Sequence, residues 1–237
     1  MWLRSQRLQR LIGGTVFERM AIGFASRVEL MRLSGHKEPE TLRLIRTVRR
    51  ERKSMVTANE AFLVHALARA QSRQPGDMAE VGVFEGATAR IICEAKGDKT
   101  LHLYDTFDGL PEPAEFERRV HRAKMFACSL DSVKQYLAGY NAVVFYKGRF
   151  PETADAARDK RFSFVHLDVD LYESTRACFE FFYPRMVPGG IMLSHDYSIL
   201  AGVRKAVDEF AETIPEEPVE LPTTQCMIVR SGLDHAS

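Results

Sequence analysis

Apolar residues recur along this chain with two different periods. Through residue 56 the spacing is helical, with breaks near Gly13-Gly14 and Ser34-Gly35. After Pro39, Leu42, Ile45 and Val48 fall on one face, while Arg43, Arg46, Arg49, Arg50 and Arg52 occupy the others. A further helix is predicted from Thr57 to Ser72, with Ala61, Phe62, Val64, His65, Leu67 and Ala68 as its apolar stripe. Pro75-Gly76-Asp77 then punctuates the chain.

From there short apolar runs alternate with helical spacing. Strands are predicted at 78–84, 101–105, 142–148, 162–170, 191–196 and 225–230. Helical segments are predicted at 87–96, 153–160, 174–183 and 203–213, and residues 114–138 read as largely helical. Strands rich in Val, Ile, Leu and Phe that alternate with helices imply a parallel sheet covered on both faces. In open sheets of this kind, ligands bind at the carboxyl ends of the strands. No internal repeat or low-complexity tract interrupts the pattern.

Charge changes the picture only by its distribution. The chain has 237 residues and a formal net charge of +1. Through Lys53, however, 13 Lys/Arg face only 5 Asp/Glu. Such a surplus suits either a solvated helix face or contact with an anionic or acidic neighbour. Four cysteines lack any CxxC spacing, which points to free thiols in a reducing cytoplasm rather than to zinc or disulfides. No run reaches the roughly 18 apolar residues of a membrane span. The start carries Arg4, Arg7 and Arg10 where a secretory signal would need an unbroken apolar core. Leu3, Leu8, Leu11 and Ile12 still share one side of a helix, a pattern suited to a membrane surface or a partner. Nothing points to nucleic acid.

The chemistry-bearing residues gather at the predicted strand ends. The first strand runs into Glu80-Val81-Gly82-Val83-Phe84-Glu85-Gly86, where Gly82 and Gly86 permit a sharp turn and close approach to a ligand. The second ends at Asp105, suited to gripping ribose hydroxyls. GxGxxG is absent, and Glu80 and Glu85 would repel a pyrophosphate but not the ammonium and sulfonium of S-adenosylmethionine (SAM). The fourth strand delivers Asp168 and Asp170, and the fifth His195 and Asp196. Carboxylates converging on one place call for a cation or shared protons, and oxygen donors suit Mg²⁺. Such an ion would acidify a bound hydroxyl, leaving a carboxylate or His195 to take the proton.

At these residues the chain resembles the macrocin-type (TylF/MycF) O-methyltransferases, which are class I, SAM- and Mg²⁺-dependent and methylate sugar hydroxyls on macrolide and aminocoumarin natural products. The matching segments are 79–89, 104–113, 147–153, FVHLDVDLYEST (164–175), YPRMVPGG (183–190) and His195-Asp196-Tyr197. The resemblance implies a Rossmann-like, seven-stranded, mostly parallel sheet with a reversed last strand. It implies Glu80 and Gly82 at the methionine part of SAM, Asp105 at the ribose, and Gly148 with Arg149 at the adenine. It makes Asp168 a metal ligand and base and Asp196 a second ligand. The family usually carries two consecutive acids where this chain has His195-Asp196. Imidazole favours transition metals, so either the ion differs or His195 is a base in a metal-free or weakly metal-bound site.

Two units are expected: a basic helical N-terminal arm over 1–56 and a SAM-binding methyltransferase domain over 57–237. Tyr172, Tyr197 and Asp170 are candidates for contact with a small hydroxylated acceptor. Of the aromatic residues, Phe107, Phe116, Phe126 and Tyr136 suit core or interface packing better. Members of the family commonly assemble, which implies a homo-oligomer. The competing functional readings are an NAD-dependent oxidoreductase on a similar sheet and a non-catalytic SAM-binding or interaction protein.

Overall fold

The computed structural model describes Ser5, Gln9 and residues 15–232. The Gly13-Gly14 break and the stripe of Leu3, Leu8, Leu11 and Ile12 lie outside the described residues. Helices α1 (Val16–Leu33), α2 (Pro39–Glu51) and α3 (Ala58–Gln71) precede the sheet. Strand β1 (Asp77–Val81), helix α4 (Ala87–Ala95), β2 (Leu101–Asp105), α5 (Leu130–Tyr136) and β3 (Val143–Lys147) build one half of the αβ unit. The other half contains β4 (Phe162–Leu167), α6 (Tyr172–Phe182), β5 (Met186–Ser194), α7 (Ala201–Ala211), β6 (Val219–Glu220) and β7 (Cys226–Val229).

The seven strands run in the order β3-β2-β1-β4-β5-β7-β6. β7 is antiparallel to both neighbours, and the remaining pairings are parallel. The order reverses between β1 and β4, so their carboxyl ends flank the crevice where such sheets bind ligands.

The alternation of side chains along the strands, offset in β4 by an irregularity between Phe162 and Phe164, divides the core in two. Met78, Leu103 and Phe164 pack with Leu42, Ile45, Val48, Val64 and Ile92 of the helices on one face. Val81, Val165, Phe162 and Met192 pack with Phe179, Phe182 and Val207 on the other. Burying a side chain of this size stabilises by about 1.5–3 kcal/mol. α2 therefore belongs to the same core as α3 and α4, and part of its positive charge serves the fold. Arg49 donates to the Val56 carbonyl. Arg52 donates to Ser132 and stacks 4.3 Å from the Tyr136 ring.

Several boundaries differ from the sequence reading. Only Leu130–Tyr136 of the 114–138 stretch is an α-helix. Upstream of it the chain folds into turns, with Lys124 and Phe126 in the left-handed region at φ 66° and 62°. β4 stops at Leu167: Asp168 still donates its N–H to Val81 O on β1, but the backbone leaves the extended region by Asp170, at φ 59°. β5 begins at Met186 and carries Pro188-Gly189-Gly190 inside it, and β6 is a short strand that the pattern did not reveal. All four cysteines are unpaired thiols, and no described helix is long and apolar enough to cross a membrane.

Candidate active site

The carboxyl ends of β1, β2, β4 and β5 open into one cavity of about 770 Å³. Its first end is organised by Gly82, at φ 88°, which passes so close to β4 that a Cβ would lie 1.8 Å from the Asp168 carbonyl oxygen. No other residue fits there, and the backbone after β1 is thereby free to line the cavity. Asp105 fixes this loop from β2. Its Oδ2 accepts from Val83 N at 2.7 Å and Phe84 N at 2.8 Å, and its Oδ1 accepts from Phe107 N at 2.6 Å. A carboxylate has about four acceptor sites, which leaves one on Oδ1 for a ligand hydroxyl. Tyr104, Thr106, Gly148 and Arg149 continue the same wall.

The second end collects the acids. His195 Nδ1 lies 3.1 Å from Asp196 Oδ1 and 3.5 Å from Asp168 Oδ1, and its Nε2 lies 3.4 Å from Glu60 Oε2. These are ion-pair separations without the alignment of good hydrogen bonds. Burial works to lower the His195 pKa, but the charges of Asp196, Asp168 and Glu60 outweigh it and raise it well above the usual imidazole range. Asp168 is raised by burial and by Asp196, against the pull of His195. Asp170 is raised further, by burial and then by Asp168 and Asp196. Asp170 and Asp196 both occupy the left-handed region, at φ 59° and 60°, where strain at functional positions concentrates.

The donor atoms of Asp168, His195 and Asp196 lie within 4.8 Å of one another. A divalent ion spans such a group, and the imidazole favours a transition metal over Mg²⁺. The residues fit an ion in a second respect. A ligating histidine ordinarily has a carboxylate at its other nitrogen, and Glu60 stands there.

The sequence-derived candidates divide into those on the cavity wall and those off it. Gly82, Asp105, Gly148, Arg149, Asp168, Asp170, His195 and Asp196 line it. Glu80 does not. It is wholly buried on β1, where Oε1 meets His166 Nδ1 at 3.0 Å and burial raises its pKa. Glu85 is turned to residue 53, accepting Lys53 N at 2.9 Å and pairing with its ammonium at 3.2 Å. Gly86 is the left-handed N-cap of α4, packed on Val133. Tyr172 lies off the cavity, its hydroxyl donating to Glu209 at 2.6 Å, and Tyr197 donates to Asp208 at 2.7 Å. Both phenols bond to acids of α7, and Tyr197 also lines a side chamber that adjoins the main cavity at Asp170. Phe126 does line the cavity, whereas Phe107 is buried in the core.

Glu60 is the residue the sequence reading missed. Thr57-x-x-Glu60 reads as a capping box, and it is one, with Glu60 accepting Thr57 N at 2.7 Å. The same carboxylate accepts the Thr224 hydroxyl at 2.6 Å and faces His195. Burial acts to raise its pKa, but the His195 charge and these hydrogen bonds hold it well below the usual carboxylate range.

A reversed terminal strand on a parallel sheet, with this crevice, defines a class I methyltransferase fold. The sequence profile of the macrocin O-methyltransferase (TylF) family matches residues 53–225, and the chain belongs to that family. It is 34% identical to the 8-demethyl-8-(2,3-dimethoxy-alpha-L-rhamnosyl)-tetracenomycin-C 4'-O-methyltransferase of Streptomyces olivaceus, over 57% of this chain and 58% of that one. It is 32% identical to the mycinamicin III 3''-O-methyltransferase of Micromonospora griseorubida, over 62% and 65% of the two chains. The chain thus spans about three-fifths of the length of the curated relatives it matches. Among solved structures, the O-methyltransferase NovP superposes with a TM-score of 0.66 at 25% identity, covering 75% of this chain and 82% of its own. Membership in this family sets aside the nicotinamide oxidoreductase alternative.

Proposed function

We propose that the protein is a SAM-dependent O-methyltransferase acting on a sugar hydroxyl of a natural product or glycoconjugate. The observation that carries this reading is the meeting of Asp168, His195 and Asp196 on the wall of the same cavity that Gly82 and Asp105 line. The nucleoside occupies the Gly82–Asp105 end, with one Asp105 acceptor site for a ribose hydroxyl and Gly148 and Arg149 toward the adenine. The acceptor hydroxyl sits at the acidic end.

Asp168 accepts the proton of that hydroxyl as its oxygen attacks the SAM methyl group and the carbon–sulfur bond breaks. A carboxylate whose pKa is raised by burial is a better base near neutral pH than a free one. His195 links Asp168, Asp196 and Glu60 and so holds the base in place. A divalent ion held by Asp168, Asp196 and His195, the last as a neutral imidazole that has given up its proton, would supply charge stabilisation for the developing alkoxide. The His195 nitrogen favours Mn²⁺ or another transition ion there.

Assembly belongs to the same proposal. α1 is apolar on two sides: Leu30 and Leu33 are buried and Ile22 and Ala25 line the cavity. Yet Phe17, Met20, Phe24 and Met31 are 66–72% exposed. An exposed apolar stripe of this kind is normally covered, and the seven-residue spacing of Phe17, Phe24 and Met31 suits a second copy of the same helix. A cytoplasmic location fits the four free thiols.

Calorimetric titration with SAM tests the cofactor, and turnover of an L-rhamnosyl glycoside before and after EDTA treatment tests acceptor and ion. Absence of SAM binding at high micromolar ligand removes the reading. Turnover insensitive to EDTA removes the ion alone.

A further inference from the structure

His121 stands in the turn-rich segment between β2 and α5 and has no part in the chemistry above. It is only 6% exposed, yet it lines the main cavity, and its Nδ1 is shielded from solvent without a hydrogen-bond partner. Buried polar atoms are ordinarily paired, so an unpaired one on a cavity wall points to a partner that arrives with the ligand.

The position of the ring is built, not accidental. His121 N and Val120 N both donate to the Glu117 carbonyl at 2.9 Å. The buried Glu117 carboxylate accepts Tyr172 N at 2.7 Å and Ala114 N at 3.2 Å, which fastens this segment to the first turn of α6. α6 follows directly on Asp168 and Asp170, so the fastening fixes His121 relative to the acids. His121 and Asp170 also line a side chamber of about 160 Å³, which places both at its junction with the main cavity. Burial lowers the His121 pKa, and the Asp196 charge opposes this without overcoming it. A neutral imidazole offers one donor and one acceptor, which suits a hydroxyl rather than a phosphate.

We propose that His121 is a specificity-determining substrate contact: its imidazole hydrogen-bonds a hydroxyl of the acceptor other than the one methylated, at the junction it shares with Asp170. The proposal rests on the sugar O-methyltransferase reading. It makes His121 a determinant of which hydroxyl of a polyol meets Asp168.

The test uses methyl α-L-rhamnopyranoside and its 2-, 3- and 4-deoxy analogues with the full chain, His121→Ala and His121→Gln. Replacement by alanine is expected to lower acceptor kcat/KM about tenfold or more while the Kd for SAM stays within about twofold. One deoxy analogue that reacts slowly with the native chain should suffer less than about a threefold further loss in His121→Ala, because residue and hydroxyl form one interaction. His121→Gln, which keeps a donor and an acceptor, should recover part of the rate. Penalties that multiply for every analogue, or a SAM affinity that falls with the acceptor parameters, would overturn the proposal. A native chain that binds SAM but turns over none of the glycosides removes the sugar reading, and this inference falls with it.

Discussion

Glu60 Oε2 stands 3.4 Å from Nε2 of His195, although one residue lies in the first turn of a helix before the sheet and the other directly follows β5. The contact turns the opposite ring nitrogen toward Asp168 and Asp196. Carboxylates in this position orient a ligating imidazole, and their loss commonly weakens metal affinity about 10- to 100-fold. Glu60→Gln should therefore weaken Mn²⁺ binding by that factor in calorimetry while leaving SAM affinity unchanged. Equal Mn²⁺ affinity in the two proteins would show that Glu60 merely caps α3.

Asp168→Asn keeps the shape of the side chain and removes the base. Loss of a general base lowers kcat by about 10²- to 10⁴-fold, and the Kd for SAM should change little. Transfer of labelled methyl from SAM measures the first quantity and calorimetry the second. Undiminished biological output from the variant would favour a non-catalytic role for the chain.

Gly82→Ala places a Cβ 1.8 Å from the Asp168 carbonyl oxygen in a residue at φ 88°. Separation of β1 from β4 is the only relief, at a cost of about 3 kcal/mol or more. For a chain of this size, that corresponds to a fall in Tm of roughly 6–12 °C or failure to fold. Scanning calorimetry reads it, and a Tm within a degree or two of the native value would contradict the close approach.

Glu216 predicts an acid-side loss of stability. Burial acts to raise its pKa, but hydrogen bonds from Ser231 and Tyr183 bring it down from 4.5 to about 2. A depressed folded-state value means that the contribution is complete above about 4.5 and disappears as pH falls toward 2. Urea midpoints should therefore separate the native chain from Glu216→Gln most at pH 7 and converge near pH 2–3. A gap that is constant with pH would mean that ionisation of Glu216 plays no part.

The exposed side of α1 gives a prediction for assembly. Phe24→Asp places a charge in the middle of the Phe17, Met20, Phe24 and Met31 stripe. Light scattering should then report the mass of a single chain where the native protein gives a multiple. A native protein that is itself monomeric at tens of micromolar would discard the proposed contact.

The strand–helix alternation was legible because it rests on local periodicity. Val, Ile and Leu runs bounded by Gly, Pro and Asp specify buried strands wherever the chain goes next, and strand ends follow from them. That pattern by itself assigns Gly82, Asp105, Asp168, His195 and Asp196 to one edge of a sheet. Position along a strand does not say which way a side chain finally points. Glu80 pairs through Oε1 with His166, its neighbour on β4, and Tyr172 and Tyr197 turn to acids of α7, partners that no local pattern names.

What the sequence by itself determined was the architecture and the set of acids at its carboxyl edge, since both arise from patterns a few residues long. Tertiary structure alone decided where Glu60 and His121 stand and how 114–129 turns. Glu60 carries a helix-capping signal that is complete without His195, and His121 has no signal at all until Glu117 fastens its segment to α6. Contacts between chain-distant groups depend on packing that no local period encodes, and this is where the acidic end of the cavity takes its form.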